Sequence, residues 1–233
     1  MREVKTIYYY LLLSIIAVIL ILIMVVFKPI TSNTNFFGDK LLVVGIFFTS
    51  CIFGISLAIY PNWWRKNKRN TNHIPNLKRV KTSRSFQGHH PDCSMFKNHI
   101  INIKNKSYCA GCLGLIIGAL ASILLIILYL ILPFKFSINF YYILLILGII
   151  ILIFIYGEIS FLKRNIFLHI PLNSILILSF LTITISVLEI TKNSIYAIFT
   201  ILLCFLWLDT RIHISNKKHQ SICDSCNYDC KSY

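Results

Sequence analysis

Between residues 88 and 114 the chain reads GHHPDCSMFKNHIINIKNKSYCAGCLG, with three histidines and three cysteines just ahead of an unbroken apolar stretch. Thiolates and imidazoles are preferred zinc ligands. A Cys-x2-Cys pair makes half of a tetrahedral site, because the tight turn between the sulfurs brings both to one ion. Cys109 and Cys112 form such a pair. Cys93 and His99, with His89 or His90 as substitutes, are the expected second half. Between the halves INIKNKSY alternates like a short hairpin turning at Asn105–Lys106, which would close the ring. A further run, His219-x3-Cys223-x2-Cys226-x3-Cys230, supplies four more potential ligands, either for a site of its own or for the loop site.

Other chemistry fits the same residues. Cys109-Ala-Gly-Cys112 opens an apolar helix, and a helix N-terminus favours the thiolate, so a redox dithiol for thiol–disulfide exchange or electron transfer is the second reading. A third leaves the histidines solvated and the cysteines structural, with no shared role. Copper or iron–sulfur centres also take thiolates, but the mixed Cys/His spacing favours zinc. Cys51 and Cys204 lie within apolar runs, where a small side chain packs without further purpose.

These residues must be held by the rest of the chain, which is apolar. Of 233 residues 57% are hydrophobic and 13% charged, and the mean hydropathy is +0.73. Soluble domains carry about a quarter charged residues, so this is a membrane composition. Six apolar runs are long enough to cross about 30 Å of hydrocarbon: Ile7–Phe27, Leu41–Tyr60, Leu113–Leu132, Phe140–Tyr156, Phe167–Leu188 and Ser194–Leu208. The first is too long for a signal-peptide core and no small-residue cleavage site follows it, so it reads as a retained span.

Six spans put both termini on one side. With that side inside, 19 of the 23 Lys and Arg are cytosolic, all but Lys28, Lys40, Lys135 and Lys192. This is the positive-inside pattern of a multi-pass cell-membrane protein with cytosolic N- and C-termini. Four regions follow: two helices in 1–60, a basic loop in 61–112, four helices in 113–208 and a Cys-rich tail in 209–233. The formal charge of +15 is then largely a cytosolic face, and the partner it implies is anionic lipid headgroups. Anchorage in lipid argues against nucleic acid, and no protein partner is indicated.

The loop starts PNWWRKNKRN, with Trp63 and Trp64 where aromatic anchors of a span end belong, and an extended course along the headgroups is expected. Its second half has too few residues for a core of its own, so the Cys and His side chains are expected to hold it through an ion. All six non-span cysteines are expected on the reducing cytosolic side, where metal use is commoner than disulfides.

The blocks GHHPDCSMFKNH and YCAGCLGLIIGA resemble a family of prokaryotic, archaeal-type predicted membrane proteins of unknown function. Its Cys/His segment precedes a Cys-x-x-Cys-x-Gly that enters a span. The matching positions are His89, His90, Cys93, His99, Cys109, Cys112 and Gly114. The chain departs from that pattern with Gly111 in place of Arg, and with His-His-Pro-Asp-Cys in place of Cys-His. The resemblance covers some thirty residues and implies a Cys/His motif at a membrane face, with no activity attached.

Charge inside the spans is scarce. Glu158, Glu189 and Asp209 fall at span ends, where water or headgroups are expected to reach them. His169 and Asn173, four apart, share a helix face, with Pro171 expected in the first turn; beside Glu158, Asp209 and Arg211 they suggest a small polar pocket, or simply helix-packing groups. Gly114-x3-Gly118, with Ala119 and Ala121, gives the third span a small-residue face for close helix packing. No phosphate-binding loop, nucleophile elbow or paired zinc-protease histidines occur.

The expected fold is therefore an all-α integral membrane protein of six transmembrane helices, with a small cytosolic Cys/His-rich cap that binds zinc. A closed four-ligand site makes it a structural or assembly component, or a sensor. With water at one ligand position the cap would instead be a membrane-embedded metalloenzyme acting on lipid-like substrates.

Overall fold

A computed structural model describes residues 2–28, 36–59, 86–87, 100–103, 106–132, 136–161 and 166–224. Six helices account for most of them: α1 (Arg2–Val26), α2 (Phe36–Ile59), α3 (Ala110–Ile131), α4 (Ile138–Phe161), α5 (Ile166–Thr191) and α6 (Ser194–Asp224). All six are long and apolar enough to cross a membrane, as in a multi-pass membrane protein. They lie within a few residues of the apolar runs read from the sequence, with one exception. Helix α6 continues to Asp224, sixteen residues past Leu208. Residues 209–224 contain neither Gly nor Pro, and extending a formed helix costs far less than starting one.

The innermost helix is α5, packed against α3, α4 and α6. Helix α2 fills the groove between α3 and α6, and α1 lies along α6. Burying α5 in hydrocarbon requires its many hydroxyls to find partners without water. They do so within the helix: Ser174, Thr184, Ser186 and Thr191 donate to the carbonyl four residues back, and Ser179 and Thr182 to the one three back. These are packing groups that leave the helix exterior effectively apolar.

The expected small-residue face of α3 meets α5. A Cβ added at Gly114 would lie 2.5 Å from the Ile170 carbonyl oxygen, and one at Gly118 2.6 Å from that of Ser174. The two backbones touch, and the Ser174 Oγ proton is shared between the Ile170 carbonyl of its own helix and, across the contact, the Gly114 carbonyl at 2.9 Å. Pro171 sits deeper in α5 than expected, because the helix starts at Ile166 and residue 171 falls in its second turn.

Helices α1, α3 and α5 begin at one end of the bundle, the thiol end, where α2, α4 and α6 finish. At the opposite end Glu189 departs from expectation. Rather than facing water it is 7% exposed. It accepts from the Tyr129 hydroxyl, pairs with Lys192, and lies 3.7 Å from Lys40, whose ammonium stands over the Tyr129 ring. A carboxylate leaving water needs compensating charge, and two lysines from different segments supply it.

At the thiol end a three-stranded sheet joins the bundle: β1 (Phe86–Gln87), β2 (Ile100–Ile103) and β3 (Lys106–Cys109), in the order β1-β3-β2. The hairpin is as expected, but Ile103 pairs with Lys106, so its connection is residues 104–105, one position earlier. Strand β1 pairs with β3 in parallel.

Candidate functional site

Strand β3 runs into α3 with no intervening loop. Cys109 is the last strand residue and also the N-cap of the helix, with an extended backbone (φ −71°, ψ 123°). Its side chain makes no capping hydrogen bond. The first helical turn, and with it the positive end of the helix dipole, therefore lies beside the thiols. Cys112 follows one turn later on the same face, so the two thiols are neighbours. Cys109 is 3% exposed and Cys112 half-buried.

Three helices enclose this pair. From α5, Asn173 is fully buried; its Nδ2 donates to the His169 carbonyl at 2.6 Å, while its Oδ1 meets no donor among the described residues. Gly111 borders both Asn173 and Cys109: a Cβ there would be 3.6 Å from Asn173 Nδ2 and 3.7 Å from Cys109 Sγ. From α6, the buried Arg211 acts electrostatically on Cys112, and on Tyr156 at the end of α4.

The expected polar pocket thus forms in part. Asn173 and Arg211 turn inward, whereas Asp209 turns out and pairs with His213 at 3.4 Å. Residues two positions apart on a helix lie about 200° apart around it, so burying Arg211 exposes Asp209. Glu158 is half-buried. Behind the pocket Trp207 is fully buried; its Nε1 donates to the Ser14 carbonyl at 3.1 Å, its ring stacks on Phe180, and its carbonyl accepts from the Tyr156 hydroxyl. Sequence reasoning missed this knot of α1, α4, α5 and α6; a tryptophan near a span end is ordinarily an interfacial anchor.

Of the expected ligands, Cys109 and Cys112 are brought together. His89, His90, Cys93, His99, Cys226 and Cys230 lie outside the described residues, as do Trp63 and Trp64; His219 and Cys223 fall on α6, where the backbone alone is described. Among the described residues no group of three or more Cys, His, Asp or Glu is arranged to hold a metal ion. Cys51 and Cys204 are buried in α2 and α6, away from the pair, as expected of packing cysteines.

The chain matches no protein-family model, no curated protein and no solved structure.

Proposed function

We propose that this is a multi-pass cell-membrane protein with a structural zinc site at its cytosolic face, built on Cys109 and Cys112 and completed from the segment before the hairpin. The supporting observation is the strand order. Residues 88–99 leave the sheet after Gln87, which pairs with Tyr108, and re-enter it at Ile100, which pairs with Cys109. Neighbouring strands are about 4.8 Å apart, so both ends of that twelve-residue segment are tied beside the thiol pair. His99 is one residue from the Ile100–Cys109 pair, and His89 and His90 are two and three residues from Gln87. Cys93 lies between them in the sequence.

The donor types suit the metal: two neighbouring thiols at a helix N-terminus, with imidazoles and a third thiol in the sequence that joins Gln87 to Ile100. Cys93, His99, Cys109 and Cys112 would hold zinc, His89 or His90 replacing one of them. The site would fasten the basic loop to the start of α3, and binding would contribute directly to folding free energy. Cys223, Cys226, Cys230 and His219 are the candidates for a second site or for shared ligands, since α6 returns to the thiol end. The cytosolic assignment of that end rests on the distribution of Lys and Arg, and anionic headgroups are the partner this charge favours. The cellular role is that of a structural, assembly or sensing component.

Metal analysis of the detergent-purified protein tests this reading. Stoichiometric zinc is expected in the wild type and its loss in both Cys109→Ser and Cys112→Ser. A folded wild type purified without chelator and free of metal would overturn it. The closeness of the two thiols also favours one other reading, a redox dithiol. That reading predicts no metal and a reversible two-electron titration of the Cys109/Cys112 pair. The near-complete burial of Cys109 weighs against it, because exchange requires a partner thiol to reach sulfur.

A further inference from the structure

We propose that Cys109 and Cys112 are a peroxide-responsive pair: a small hydroperoxide oxidises Cys112, and Cys109 then closes a disulfide with it. The modification belongs to the two thiols themselves and does not depend on an ion being held there.

The placement of the sulfurs carries this. Strand β3 runs directly into α3 and the pair straddles the junction, with Cys109 at the N-cap and Cys112 in the first turn. Both are free thiols, and they are neighbours. Residues three apart on a helix have Cβ atoms about 5–6 Å apart, and a disulfide brings them to about 4 Å. That adjustment falls on Cys109, whose extended backbone lies outside the helix proper, so no formed turn has to open.

Exposure assigns the roles. Cys109 is 3% exposed, which shuts out a protein thiol or a bulky oxidant. Cys112 is half-buried, so a reagent as small as a hydroperoxide has a route to one sulfur of the pair and not to the other. The thiolate is the nucleophile, and burial beside a second thiol makes a charge on Cys112 costly. Arg211 from α6 and the positive end of the α3 dipole offset part of that cost.

The atoms balance in two steps. The Cys112 sulfur attacks one peroxide oxygen, the O–O bond breaks, and the departing oxygen takes the thiol proton, leaving a sulfenic acid and water or an alcohol. The Cys109 sulfur then attacks that of Cys112, the S–O bond breaks, and hydroxide leaves as water with the Cys109 proton. Two thiols lose two electrons and one hydroperoxide gains them. Because Cys109 pairs with Ile100 of β2 and also caps α3, the disulfide would clamp the joint between sheet and bundle.

Peptide mass analysis of the full-length protein tests this, after hydrogen peroxide treatment in detergent with a chelator present so that no ion shields the sulfurs. Cleavage at Lys106 and Lys135 gives the peptide 107–135, which contains these two cysteines and no other. It should lose the mass of two hydrogens on oxidation and regain it with a dithiol reductant. A sulfenic-acid trap then reads the order: Cys109→Ser should carry the label on Cys112, and Cys112→Ser should carry none on Cys109. If either variant fails to fold, the wild type oxidised with the trap present decides, the expected label being on Cys112. An unchanged peptide mass in the wild type, or label on Cys109, would overturn the proposal. Zinc content before treatment is a separate readout, so the loss of either reading leaves the other standing.

Discussion

The α3–α5 contact is where a single methyl should cost most. In Gly114→Ala the new Cβ would sit 2.5 Å from the Ile170 carbonyl oxygen and 2.6 Å from Asn173 Cβ. Close C···O contacts begin near about 3.3 Å, so the overlap is roughly 0.8 Å. Most of it falls on backbone, which no rotamer change can relieve. The helices must part by a large fraction of that distance, stretching the 2.9 Å bond from Ser174 Oγ to the Gly114 carbonyl. Forcing a methylene into a packed site costs about 1–3 kcal/mol, and a hydrogen bond between membrane helices is worth about 0.6 kcal/mol, so a loss of about 2–4 kcal/mol is expected. Gly45→Ala and Gly54→Ala are the controls, since a Cβ at either position meets nothing within 4 Å. Equilibrium unfolding in mixed detergent–SDS micelles measures the difference. If Gly114→Ala proves as stable as the two α2 variants, the close approach of α3 and α5 is wrong.

Other outcomes follow from single contacts. Glu189→Leu leaves Lys40 and Lys192 without their shared carboxylate and should destabilise the bundle by about 1–3 kcal/mol; adding Lys40→Met should restore part of this in the same unfolding assay. No coupling between the two substitutions would show that the cluster is not an interacting unit. Trp207→Phe removes the N–H donated to the Ser14 carbonyl and part of the packing on Phe180; a loss of about 1–3 kcal/mol is expected, and a neutral result would discount that knot. For sidedness, a cysteine at the exposed Ser137 should react with an impermeant maleimide added outside intact cells, and one at Lys217 only after permeabilisation. The reverse pattern would place the thiol end outside.

The number of helices and their approximate bounds were legible in the sequence, because burial in hydrocarbon demands about twenty apolar residues in a row and the demand is local. The hairpin was legible too: alternation and a short polar turn need no distant partner, and the misplaced turn by one residue reflects how little a two-residue connection constrains its own register. So was the small-residue face of α3, although not the helix that it meets. Less visible was anything depending on which helix faces which. Glu189 read as a solvated end residue because its compensating charges, Lys40 and Lys192, belong one to a remote helix and one to the residues just beyond α5. Trp207 carries no local signal in the sequence because its partners come from α1, α4 and α5.

At the candidate site the division is the same. Residue types and the Cys-x2-Cys spacing determined which atoms are fit to hold an ion, since ligand chemistry belongs to side chains and a two-residue spacer sets its own turn. Only the tertiary fold decided that β3 ends as α3 begins, that Gln87 and Ile100 flank β3 at Tyr108 and Cys109, and that Asn173 and Arg211 are drawn in while Asp209 is turned out. Helix rotation and strand order are settled by the summed packing of many side chains on separate elements, and no short stretch of sequence contains that sum.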